Sequence, residues 1–215
     1  MTAPEVRTDV TASEGPRHVR SSDFYLPGSA GRLTIGVSGP IATGKTTVCR
    51  YLEHKGFSYA RFSAVIDEML SHAGLPIDRP HRQAMGEQVN RSPGQRWLSQ
   101  ELMKRIPEDA GQVVIDGLRF PEDHSFLVEW FGTRFLHLHV SAPRDTRERR
   151  YIQGGGAAED FRAAERALTE SQHDRMAALA HVIVVNGSNL AHLWRQVDRI
   201  IIGAARHDLG GLPCQ

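Results

Sequence analysis

The chain has 215 residues, 40% of them hydrophobic and 24% charged, with a formal net charge of +1. That length suits one domain with tails and is enough to bury a real core. The near-neutral charge gives no global electrostatic reason to expect nucleic acid or a membrane surface as partner. No apolar run reaches the roughly 18 residues that a bilayer crossing needs, and the first residues lack the apolar stretch of a signal peptide, so a cytoplasmic location is expected.

In chain order, residues 1–30 are rich in Thr, Ser, Pro, Gly and charge without apolar periodicity and read as a flexible arm, which Phe24-Tyr-Leu26 could tack to the domain. Residues 31–203 read as the domain proper and 204–215 as a loose tail. Leu33-Thr-Ile-Gly-Val37 is a short buried strand, and the stretch after it organises the chain. Gly39-Pro-Ile-Ala-Thr-Gly-Lys-Thr-Thr47 fits G-x-x-x-x-G-K-[ST]. Residues with little side chain let successive backbone N–H groups curl around an anion, and the helix that follows adds the positive end of its dipole. Gly39, Ile41, Ala42, Thr43, Gly44, Lys45, Thr46 and Thr47 are therefore expected to hold ATP. Lys45 would reach the β- and γ-phosphates and the Thr46 hydroxyl would ligate Mg²⁺. The basic residues are 23 Arg and only 3 Lys, a bias of overall composition, and against it Lys45 stands where an arginine would be geometrically wrong. Of the two cysteines, Cys49 lies on the helix after the loop and Cys214 is penultimate. No structural disulfide is expected, and a reducing compartment fits.

Phe57–Phe62 alternates as a second strand, with Ser63 as N-cap of a helix carrying Val65, Ile66, Met69 and Leu70. Leu75–Pro80 is irregular, and helical patterns follow near 81–90 and 95–106. Gln112-Val-Val-Ile-Asp116 reads as a buried strand that ends in an acid, placed to face the loop and hold the Mg²⁺ shell or accept a proton. Pro121, Glu122 and Asp123 open a helix ended by Gly132, and Arg134–Val140 alternates as the next strand. Arg144, Arg147, Arg149 and Arg150 crowd one short segment, and Gly154-Gly-Gly156 would hinge it as a lid over about 144–160. Arg147 and Arg150 share a helical face that could reach the transferring phosphate, while Arg144 and Arg149 are solvated. A helical pattern runs from 157 to 180, His181–Val185 is the last strand, and Leu190, Leu193, Trp194, Val197, Ile200 and Ile201 mark a closing helix. The eleven histidines show no metal-ligand spacing, and His137 and His139, on one strand face without an acid, are structural. Alternating strands and helices predict an α/β fold. The expected arrangement, given the phosphate loop after the first strand, is a three-layer P-loop NTPase fold with a mostly parallel sheet, helices on both faces and a small helical lid.

These motifs resemble the nucleotide-kinase superfamily of P-loop kinases over residues 33–203. Arg82-Gln-Ala-Met-Gly-Glu87, Pro93-Gly-Gln-Arg-Trp97 and the Asp116-Gly-Leu-Arg-Phe-Pro-Glu122 strand end resemble phage-type deoxynucleoside monophosphate kinases. Arg147, Gln172, Ala180-His-Val-Ile-Val and Asn186-Gly-Ser are similar to dephospho-coenzyme A kinase and its archaeal relatives, in which the last turn lies near the adenine and the arginine segment is a lid. The resemblance implies Mg²⁺-dependent transfer of phosphate from ATP to a small acceptor, most simply a (deoxy)nucleoside monophosphate. Asn186 and Gly187 would contact the nucleotide. Arg119 would grip the acceptor phosphate as a bidentate fork, with Arg82, Gln83, Ser63 and Trp97 lining the acceptor. Lys45, Asp116, Arg119 and Arg147 would form the catalytic set. Dephospho-coenzyme A kinases place an Asp where this chain has Ser63, and Asp67, one helical turn on, is no obvious substitute. A modified DNA base, dephospho-coenzyme A or a specialised metabolite stay open as acceptors, as does a sensor that binds ATP without transfer. The sequence leaves the oligomeric state open.

Overall fold

A computed structural model of the protein describes residues 33–166 and 172–209. The expected N-terminal arm, Cys214 and the end of the tail lie outside the described residues. The chain runs β1 (Thr34–Ser38), α1 (Lys45–His54), β2 (Ser58–Arg61), α2 (Phe62–His72), α3 (Arg79–Val89) and α4 (Gln95–Met103). It continues through β3 (Val113–Leu118), α5 (Pro121–Phe131), β4 (Phe135–Ser141) and the helices α6 (Arg144–Gln153) and α7 (Ala158–Glu165). Helix α8 (His173–Leu179), β5 (Val182–Val185) and α9 (Leu190–Leu209) close it. The five strands pair in parallel in the order β2-β3-β1-β4-β5. β1 is thus central, and the loop after it opens between the ends of β3 and β4.

The central strands β1, β3 and β4 are buried on both faces, as expected of parallel strands covered by helices on each side. Ile35, Val37, Val114, Leu136, Leu138 and Val140 turn to one face and pack with Val48 and Leu52 of α1 and with Leu193 and Val197 of α9. Val113, Ile115 and Phe135 turn to the other, beneath Val65 and Leu70 of α2, Leu98 and Leu102 of α4, Phe126 and Leu127 of α5, and Met176 of α8. Each such aliphatic side chain taken from water contributes about 2 kcal/mol. The alternation of Phe135-Leu-His-Leu-His-Val140 sends His137 and His139 to this second face, where both are buried. Among the described residues no helix is long and apolar enough to cross a membrane.

Several boundaries differ from the sequence reading. Helix α2 starts at Phe62 with Arg61 as its N-cap, so Ser63 lies inside the first turn and caps nothing. Helix α3 starts at Arg79, because the Asp78 carboxylate accepts from the His81 N–H and Pro80 fits the first turn, where no N–H is needed. The expected single helix over 157–180 is interrupted: among the described residues α7 is capped at Arg166 and α8 starts at His173. Helix α9 continues to Leu209, into what reads as tail from sequence. Across the segment expected as a lid, the Glu165 carboxylate ties α7 back to α6.

Candidate functional site

The loop from Gly39 to Gly44 has the backbone that its sequence requires. Gly39 has φ of 142° and a Cβ there would stand 2.1 Å from the Val140 carbonyl oxygen; Gly44 has φ of 97° and a Cβ would stand 2.6 Å from Asn186 Nδ2. No other residue type fits either position. Ala42 also takes a positive φ of 59°. The Thr43 hydroxyl donates to the Pro40 carbonyl at 2.9 Å and fixes the curl, and Lys45 Nζ donates back to the carbonyls of Gly39 and Pro40 at 2.6 and 2.7 Å. Helix α1 begins at Lys45 with Gly44 as its N-cap, so its positive end points into the cradle.

Asp116 sits beside this loop at the end of β3 and is 8% exposed. Its Oδ2 accepts from the Thr46 hydroxyl at 2.9 Å and from the Tyr59 hydroxyl at 2.9 Å. Burial, then the charge of Asp116, holds the Tyr59 phenol protonated above its ordinary range, so it stays a donor. Arg50 lies 4.3 Å over the Tyr59 ring. Burial first and Asp116 next push the Cys49 thiol well above its usual value, which makes it an inert core thiol. A hydroxyl and a carboxylate this close suit Mg²⁺, which takes one or two protein oxygens and leaves the rest of its shell to phosphates and water. Among the described residues no group of three His, Cys, Asp or Glu could form an all-protein metal cage.

The residues expected at the acceptor divide. Arg119, just past β3, is exposed, and among the described residues its guanidinium makes no ion pair. Arg82 instead donates to Asp67 through Nε at 2.5 Å, and Arg61 donates to the same carboxylate at 3.1 Å. Asp67 is therefore committed to two arginines. Gln83 donates to Glu87 along the α3 surface at 3.3 Å. Trp97, expected along the acceptor, is partly buried and packs against the core under α2, α4 and α5.

The lid arginines are also engaged. Arg147 donates to Glu165 at 2.9 Å and lies 5.6 Å from the Phe161 ring centroid, so in this conformation it braces α6 against α7 and does not reach the loop. Arg144 joins the same brace through Glu165 and Glu148. Arg150 donates to the Asn186 carbonyl at 3.0 Å and to its Oδ1 at 3.2 Å. Asn186 in turn donates from Nδ2 to the Thr43 carbonyl at 2.8 Å. Asn186, expected as a nucleotide contact, thus bridges the lid to the phosphate loop, while Gly187 packs beside Pro143. Replacing Asn186 with alanine leaves the buried Thr43 carbonyl unpaired and releases Arg150. The expected result is an ATP KM raised about tenfold, with a smaller change in kcat, read from initial rates of ADP release.

Sequence reasoning missed Tyr59, since nothing in strand alternation singles out a tyrosine near a carboxylate. It also missed the bond of Ser38 Oγ to His137 Nε2 at 2.7 Å and to His139 Nδ1 at 2.9 Å, which joins two adjacent strands. His124 approaches His137 at 3.0 Å between the Nδ1 atoms, and His181 accepts from the His137 N–H at 2.8 Å. Ser38, His137, His124 and His181 thus form one buried or part-buried polar cluster against β4.

With this geometry in view, the comparisons with known proteins are informative. A family model described as an AAA domain matches residues 35–170. A UPF0200 protein of Pyrobaculum aerophilum is 27% identical over 175 residues, covering 78% of this chain and 96% of that protein. A dephospho-CoA kinase of Streptococcus pneumoniae is 22% identical over an alignment of 199 residues, covering 81% of this chain and 97% of that enzyme. Among solved structures, a shikimate kinase from Bacteroides thetaiotaomicron has a TM-score of 0.52 at 15% identity, covering 78% of this chain and 95% of its own. That last likeness is one of fold.

Proposed function

The chain belongs to the AAA-domain family and has the fold of a P-loop kinase, and from that premise we propose that it transfers the γ-phosphate of ATP to a (deoxy)nucleoside monophosphate. The observation that carries the reading is the Thr46–Asp116 pair, 2.9 Å apart at the mouth of the phosphate loop, with the open Arg119 on the strand end that holds Asp116.

In this reading the backbone amides from Ile41 to Thr47 cradle the β- and γ-phosphates, and Lys45 leaves its own loop carbonyls to neutralise them. Thr46 and Asp116 would hold Mg²⁺, which supplies charge neutralisation between the phosphates. Arg119 grips the acceptor phosphate and aims one of its oxygens in line with the γ-phosphorus. A bond forms between that oxygen and phosphorus, the β–γ bridging bond breaks, and its electron pair leaves on ADP. Closure of α6 and α7 over the loop excludes water. Arg150 travels with that lid through Asn186.

An acid missing from the end of β2 supports the monophosphate as acceptor. A hydroxyl acceptor must lose a proton, and a base is needed near the end of β2. Ser63 stands there in place of an acid, and Asp67 is neutralised by Arg61 and Arg82. A monophosphate oxygen is already largely ionised near neutral pH and needs no base. A second reading, phosphorylation of the hydroxyl of dephospho-coenzyme A, is favoured by the likeness to the streptococcal enzyme. It would use Asp116 as the base.

The test is an acceptor panel. The protein with ATP and Mg²⁺ is offered the ribo- and deoxynucleoside monophosphates, dephospho-coenzyme A and a duplex DNA, and ADP release is followed. Stimulation by one monophosphate is expected. Stimulation by dephospho-coenzyme A alone would replace the first reading with the second, and ATP binding with no stimulated release would leave a sensor.

A further inference from the structure

We infer that Asp123 is a positioning residue for the acceptor: its buried carboxylate pins the backbone that carries Arg119 and ties it to α4. The inference rests on the reading of Arg119 as the acceptor's phosphate grip. Asp123 has no exposed surface. Its Oδ2 accepts from the backbone N–H groups of Arg119 and Phe120, at 3.0 Å each. Its Oδ1 accepts from Gln95 Nε2 at 2.5 Å and from the Ser99 hydroxyl at 3.4 Å. Gln95 is itself buried, and its Oε1 accepts from Asn90 Nδ2 at 3.4 Å. A continuous polar path therefore runs from the end of β3 through Asp123 and Gln95 to the turn between α3 and α4.

The bond from the Phe120 N–H is one half of the capping box that opens α5, and the bonds from Arg119 and Gln95 go beyond what that cap requires. Glu122 is exposed in the same turn and could serve the helix dipole without desolvation. A carboxylate buried on neutral donors alone is costly, and all four donors must be held to keep it. Their effect is to fix the backbone at Arg119 while its guanidinium stays free to meet an anion. A side chain as long as arginine aims well only when its own Cα is fixed. Burial raises the carboxyl to about 6, against the pull of the Arg119, Gln95 and Phe120 donors. The charged group whose field adds to that rise is Glu122, the preceding residue of α5.

The experiment uses the full chain in two measurements. In ¹⁵N-labelled protein, the amide signals of Arg119 and Phe120 are followed from pH 8 to pH 5. Both are expected to move with one midpoint near 6, and Asp123→Asn is expected to abolish the movement. In steady-state assays with the four deoxynucleoside monophosphates, Asp123→Asn is expected to raise the acceptor KM about tenfold while the ATP KM stays within about twofold. Arg119→Ala is run beside it. If Arg119→Ala raises the acceptor KM and Asp123→Asn does not, the positioning role is wrong and the acceptor reading stands. If Arg119→Ala also changes nothing, the acceptor reading itself is wrong. Arg119 and Phe120 amide signals that keep their wild-type positions in folded Asp123→Asn at pH 8 overturn the clamp whatever the acceptor.

Discussion

Lys45→Ala is expected to lower acceptor-stimulated ADP release by about a hundredfold to a thousandfold, the loss typical of removing one preorganised charge stabiliser from a transition state. The lysine is the first residue of α1, and its ammonium already lies within 2.7 Å of two loop carbonyls, so it moves only a short way to meet phosphate. Asp116→Asn keeps the shape and removes the charge. It is expected to cost a similar factor and to shift the Mg²⁺ dependence to higher concentration, because Thr46 loses its anionic partner. The two variants separate by binding. Lys45→Ala should weaken ATP itself in a titration without acceptor, whereas Asp116→Asn should weaken ATP mainly when Mg²⁺ is present. Both proteins must keep the wild-type melting profile for the comparison to count. Full activity in either folded variant would remove the corresponding residue from the catalytic set.

What was legible in the sequence follows how local the controlling physics is. The phosphate loop could be read because its backbone demands glycine at two fixed positions, and the structure meets both demands at Gly39 and Gly44. The parallel sheet followed from strands such as Val113–Ile115 that are apolar on both faces. Side-chain commitments could not be read, because they depend on partners far along the chain. Arg147 and Arg150 share a helical face in sequence, yet Glu165 holds one and Asn186 the other. Trp97 sits in a motif expected along the acceptor, and only the packing of α4 shows that the side chain is partly buried against the core. Asp67 lay one turn from the expected position of a base, and only its two arginines show why it cannot serve as one.

The imidazoles beneath β4 should make the protein lose stability as pH falls from about 6.5. Burial holds His139 down to about 4, with His173 and then Lys45 adding to the effect. Burial, with His181, holds His124 at about 4, and burial pushes His137 and His181 below the ordinary histidine value as well. A base whose folded pKa is depressed is neutral in the folded chain and takes its proton first in the unfolded one. Its contribution is therefore complete above about 6.5 and is lost as pH falls from there towards 4. Between pH 7 and pH 5 the buried His139 costs about 2 kcal/mol, and the half-exposed His124, discounted for solvent, about 1 kcal/mol. Asp123 acts in the opposite sense, since its raised carboxyl protonates in the folded state below about 6 and returns about 1 kcal/mol. With His137 and His181 adding to the loss, the net fall is expected to be at least about 2 kcal/mol. It would be read as a lower urea midpoint at pH 5 than at pH 7. His139→Asn should flatten that dependence by roughly the share of His139, even if it lowers stability at every pH through the lost bond to Ser38. An unchanged slope in the variant would mean that these imidazoles are not what titrates. Because Ser38 immediately precedes Gly39, protonation here would also disturb the strand end from which the phosphate loop springs, and loss of ATP binding should accompany the loss of stability.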